Sequence, residues 1–94
     1  MDRAARVARN RATFLSVREQ IKLGLERRAK GRFLCECSAG TCAEVISAPL
    51  HVYEGVHLDP RRLLMALGHA RPDVETILEE THAYLIVEKS GRSE

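Results

Sequence analysis

Apolar residues in the first third of the chain recur at helical spacing. Phe14, Val17, Ile21 and Leu25 fall at i, i+3, i+7 and i+11, which is one stripe of a helix. The residues between them are mostly Ala, Leu, Arg, Glu, Gln and Lys, all good helix formers, and no Pro interrupts. The pattern predicts a helix over 3–29, with Gly31 as its stop after Arg27, Arg28 and Lys30. Ahead of Phe14 the stripe fades to alanines and Val7.

Beyond this helix the period changes. Arg32–Glu36 and Cys42–Ile46 are short and β-leaning, and together predict a hairpin. Ser47-Ala48-Pro49 reads as a helix start with Ser47 as N-cap, and Leu50, Tyr53 and Val56 form the apolar side of a brief helix ending near Val56. Asp59-Pro60 marks a turn. Arg61–Leu67 is an apolar run that periodicity alone assigns to neither strand nor helix. Asp73 is a candidate cap for a short helix with Val74, Ile77 and Leu78 on one face, and Ala83–Glu88 predicts a last strand. The expected fold class is therefore α+β. It comprises a basic amphipathic helix over 1–32, a metal-stabilised hairpin, helix and strand domain over 33–89, and a loose tail over 90–94.

Composition sharpens this picture at one point. With 94 residues, no Trp, two Phe and two Tyr, the chain is near the size where one apolar core is barely sufficient. A bound metal would offset the shortfall, because its binding free energy becomes folding free energy. All three cysteines lie together as Cys35-x-Cys37-x4-Cys42. An odd, crowded set of thiols is a poor disulfide framework and a good metal cluster. On a strand, Cys35 and Cys37 would share a face, and the small, polar stretch Ser38–Thr41 would turn the chain and return Cys42 to them. Glu36, between them, would point away. For the fourth ligand, His69 follows Gly68 in a loop after an apolar run and is favoured. His57 is second, and His51 and His82 are weaker candidates. Zn²⁺ is the expected ion, with a [2Fe–2S] cluster as the alternative.

The segments Phe33-Leu-Cys-Glu-Cys-Ser, Cys42, Val52-Tyr-Glu-Gly-Val56, Asp59-Pro60, Gly68-His69 and Tyr84-Leu-Ile-Val-Glu-Lys89 resemble a family of small, uncharacterised actinobacterial proteins. Asn10 and Phe14-x2-Val17-x3-Ile21 fit the same pattern, so the likeness covers roughly four-fifths of the chain. Where the family has Pro-Gly-His, this chain has Leu67-Gly68-His69. The resemblance implies a metal site of three cysteines and one histidine ending at His69. It implies no activity.

Charge is distributed unevenly. Residues 1–32 carry ten Lys/Arg against three acids, and residues 33–94 carry five against ten. Arg3, Arg6 and Arg9, spaced by three, are candidate contacts for the phosphates of a nucleic acid or for another acidic partner; the basic part could equally lie against the chain's own acidic domain, the reading slightly favoured. The stripe Phe14, Val17, Ile21 and Leu25 is a candidate homodimer interface. Enzyme signals are missing: there is no Gly-rich phosphate loop, no Gly-x-Ser-x-Gly and no His-Glu-x2-His. Three thiolates also make a metal a weak Lewis acid. The expectation is a non-enzymatic, cytoplasmic interaction module without a membrane partner. A zinc- or redox-responsive switch is the alternative.

Overall fold

The structure, a computed structural model, describes residues 1–22 and 30–90, with the backbone alone for 20–22. The first helix, α1, runs from Arg3 to Lys22. Asp2 caps it: the Asp2 carboxylate accepts the Ala5 amide at 2.8 Å, satisfying an N–H that has no partner within the helix. The face of α1 turned to the core carries Arg6, Asn10 and Phe14, with Val17 packed against the core beyond them. The stripe therefore continues toward the N-terminus at i, i+4 spacing, but through polar residues.

Strands β1 (Lys30–Leu34) and β2 (Val45–Pro49) pair antiparallel, with Phe33 opposite Ile46 and Gly31 opposite Ala48. Both alternate in burial, and Phe33, Ile46 and Ala48 point inward. Gly31 is part of this ladder, so it does not serve as the helix stop expected from sequence. Its lack of a side chain matters because the Phe33 ring lies over it, and a Cβ there would sit 2.5 Å from the Phe33 ring tip. Ser47, expected as an N-cap, is likewise a β2 residue opposite Arg32. The second helix, α2, spans Leu50–Val56 directly after β2 and has no side-chain cap. Its Leu50, Tyr53 and Val56 are buried as the spacing predicts. The Tyr53 ring stacks on Phe33 at 4.4 Å between centroids and meets Phe14 at 5.2 Å. Such pairs contribute about 0.5–1.5 kcal/mol each beyond area burial. These three rings fasten α1 to the hairpin and α2.

A second sheet contains β3 (Arg62–Met65), β4 (Glu75–Glu80) and β5 (Leu85–Lys89) in the antiparallel order β3-β5-β4. The ambiguous run after Pro60 thus resolves as a strand, with Leu63, Leu64 and Met65 buried. The short helix expected after Asp73 is a strand instead. Ile77 and Leu78, predicted to share an apolar face, are each about half exposed, and the register shifts between Ile77 and Glu79. That shift is a β-bulge, with Leu78 as the extra residue. The result is the expected α+β class, built as a helix and a two-stranded sheet, then a helix and a three-stranded sheet. No helix among the described residues is long and apolar enough to cross a membrane.

Candidate metal centre

The hairpin strands end at Leu34 and Val45, so the cysteines occupy the connection rather than the strands. The backbone nonetheless stays extended and paired for two more residues. Cys35 donates its amide to the Glu44 carbonyl at 2.9 Å, and Glu36 then switches sheets, donating to the Leu64 carbonyl of β3 at 2.9 Å. Side-chain alternation survives this switch: Cys35 and Cys37 reach one site, and the Glu36 carboxylate is held elsewhere. A turn in which the Cys42 amide bonds to the Ala39 carbonyl at 3.3 Å brings Cys42 back.

His69 arrives from the opposite sheet. It closes a turn in which its amide donates to the Ala66 carbonyl at 3.2 Å, and Gly68, third in that turn, has φ +81°. That backbone position strains any L side chain and suits glycine. The turn forms with Leu67 before the glycine, so a Pro there is not required.

One donor atom from each of Cys35, Cys37, Cys42 and His69 lies within 4.8 Å of all the others. His69 Nδ1 is 3.4 Å from Cys35 Sγ and 3.6 Å from Cys42 Sγ. Tetrahedral zinc, with bonds of about 2.3 Å to sulfur and 2.0–2.1 Å to nitrogen, requires an S···N edge of about 3.5 Å. The donor set thus fits a four-coordinate ion in both chemistry and spacing, and all three cysteines are free of disulfides. His57 is not among these ligands. Its Nε2 lies 3.0 Å from the Glu36 carboxylate, and His51 and His82 are exposed on the surface.

Backbone and side-chain donors surround the sulfurs. The Ala66 amide donates to Cys35 Sγ at 3.2 Å, and Arg6 Nη1 lies 3.8 Å from Cys37 Sγ. Burial pushes the Cys35 thiol up to about 12, against the opposing pull of the Ala66 and Cys37 amides. Burial also opposes ionisation of Cys37, but hydrogen bonds from His69, the Ala39 amide, Cys42 and Arg6 outweigh it and bring the thiol down to about 6. Cys37 is thereby readier than Cys35 to bind as thiolate.

The most consequential residues at this site are ones that sequence reasoning did not assign to it. Arg6 is 1% exposed. Its guanidinium donates to the carbonyls of Cys35, Cys37 and Ala39, and its Nε to the Met1 carbonyl. Arg3 Nε donates to the Glu36 carbonyl at 3.0 Å, and Arg3 Nη2 pairs with the buried Glu75 carboxylate at 3.0 Å. Two arginines of α1 therefore occupy the carbonyls of residues 35, 36, 37 and 39. This corrects the expectation that Arg3 and Arg6 serve as outward phosphate contacts. Of the three, Arg9 is exposed, Arg3 is partly exposed and Arg6 is buried. Asn10 completes the arrangement from the same helix face: its side chain donates to the Leu34 carbonyl and to Glu36, and accepts the Leu34 amide. The available signal was the i, i+4, i+8 alignment of Arg6 and Asn10 with Phe14. The candidate dimer stripe is partly used within the chain too, because Phe14 and Val17 pack in this core. The Ile21 side chain and Leu25 lie outside the described residues.

Comparisons with known protein families, with curated proteins and with solved structures find no match to this chain, so the reading of the site rests on its own geometry.

Proposed function

We propose that the chain is a non-enzymatic, zinc-binding interaction module in which the metal fastens the loop after β1, and through it α1, to the second sheet. The observation that carries this reading is the convergence of three sulfurs and one imidazole nitrogen within 4.8 Å. Four protein donors close the coordination sphere, which is the hallmark of a structural rather than a catalytic zinc. Charge supports the same ion. Zn²⁺ with three thiolates and a neutral imidazole carries one net negative charge, and the buried Arg6 guanidinium sits against it. A [2Fe–2S] cluster spreads its four protein ligands over two irons, and a set this compact favours a single ion over such a cluster. Elemental analysis tests the assignment. The purified chain is expected to hold one zinc and give a colourless solution, and His69→Ala is expected to lose metal far more readily than His57→Ala. The reverse order would remove His69 from the site.

For the partner, the exposed side of α1 offers Arg9, Arg11 and Arg18, none with an ion-pair partner among the described residues. An acidic surface, either nucleic acid or a nucleic-acid-associated machine, suits that face. Binding to mixed-sequence DNA or RNA is then expected at about 50 mM salt and lost by about 500 mM. Equal, negligible binding at both would eliminate the nucleic-acid reading. A second reading, a zinc- or redox-responsive switch, draws on the Arg3 and Arg6 bonds. The helix grips the metal loop through its backbone, so oxidation of the thiols and loss of the ion would loosen both together.

A further inference from the structure

A groove of about 660 Å³ opens between α1, the end of α2 and the paired strands β3 and β5. Its apolar lining includes Val7 and Leu63, and its polar lining includes Arg11, Arg62, Lys89 and His57. No carboxylate lines it among the described residues. Within that set Arg11 and Lys89 have no side-chain ion pair or hydrogen bond, so their charges are uncompensated at short range. Arg62 Nε is buried without a hydrogen bond, with Glu88 at 3.6 Å and Asp59 at 3.9 Å. His57 is held in place from behind. Both oxygens of the fully buried Glu36 carboxylate already accept hydrogen bonds, from Leu64 N–H and from Asn10. His57 Nε2 is therefore the donor toward Glu36, and its Nδ1 has no partner among the described residues.

We propose that this groove binds a small amphipathic organic anion, its apolar body against Val7 and Leu63 and its oxyanion head between Arg11 and Lys89. The volume is that of an ordinary small-molecule site, which pairs mostly apolar walls with a few placed polar groups. The sign of the ligand follows from the walls: Arg11 and Lys89 carry no ion pair and no carboxylate lines the groove among the described residues, while the acids near Arg62 and His57 lie outside the lining. His57 Nδ1 meets a polar group on the ligand. None of these residues belongs to the cluster of Cys35, Cys37, Cys42 and His69, so the site is separate from the thiols and goes beyond the role proposed above.

The test uses the full, metal-loaded chain labelled with ¹⁵N and titrated with phenyl phosphate, phenylacetate and, as the neutral comparator, benzyl alcohol. At least one anion is expected to give saturable amide shifts centred on Val7, Arg11, His57, Leu63 and Lys89, with a dissociation constant below about 1 mM. Benzyl alcohol is expected to bind at least about tenfold more weakly, a difference of about 1.4 kcal/mol. The tighter of the two anions identifies the head group as phosphate or carboxylate. The double variant Arg11→Glu/Lys89→Glu is expected to lose at least about tenfold in affinity, and Arg11→Gln/Lys89→Gln, which only removes the charges, is expected to weaken binding in the same direction. No saturable shift up to about 10 mM with either anion would overturn the proposal. So would equal binding of benzyl alcohol, or unchanged affinity in both double variants while their spectra remain native-like.

Discussion

Burying a guanidinium is costly unless its donors are used, and Arg6 uses them on three carbonyls of the metal loop and one at the chain start. Its planar fork spans several carbonyls at once, which a lysine cannot do. Replacing Arg6 with Met would leave buried carbonyls of Cys35 and Cys37 without donors, at about 1–3 kcal/mol each. Arg6→Met is therefore expected to lower the stability of the metal-loaded protein by about 2–4 kcal/mol in urea unfolding, whereas Arg9→Met, at an exposed position, stays within about 0.5 kcal/mol. Equal effects of the two would contradict the role given to Arg6. The ligands were legible at this scale because thiol spacing is a chemical signal that survives without structure. Cys35, Cys37 and Cys42 could be named from the chain alone, and His69 as the favoured fourth ligand ahead of His57. Arg6 and Asn10 could not, because polarity along a helix ordinarily marks the solvent side. Only the carbonyls left unpaired by the loop reverse that rule.

Among the elements, the strongly patterned ones were readable. Phe14 and Val17 on α1, the Leu50, Tyr53 and Val56 side of α2, and the final strand β5 sit where their spacing puts them. The misread elements share a physical cause. Val74, Ile77 and Leu78 match a helical i, i+3, i+4 pattern, yet the segment pairs with β5. The bulge at Leu78 shifts the register, so the simple alternation that identifies a strand is absent. Ser47 and Gly31 were read from local chemistry as a cap and a stop. Pairing across the β1–β2 ladder overrides both preferences. The cysteines were expected on strands and lie just past them. The alternation argument still held because Cys35 and Glu36 keep ladder-type bonds to two different strands.

For the molecule as a whole, the two sheets meet at the metal centre. Cys35, Cys37 and Cys42 belong to the connection between β1 and β2, His69 follows β3, and α1 holds the loop through Arg3 and Arg6. Three aromatic rings, Phe14, Phe33 and Tyr53, pack together in a core otherwise built mainly of aliphatic side chains, Met65 and Tyr84. In a chain this small, the ion is expected to carry a substantial part of the stability. The most direct measurement is amide hydrogen exchange with a thermal melt, recorded on the zinc-loaded chain and again after chelation under reducing conditions. The account predicts that chelation lowers Tm by at least about 10 °C, or unfolds the chain, which corresponds to a loss of about 2 kcal/mol or more. Protection is expected to fall first at Glu36, at Cys42 and along α1 from Arg6 to Phe14. An unchanged Tm, with α1 as well protected as before, would contradict the claim that the metal fastens the helix to the sheets.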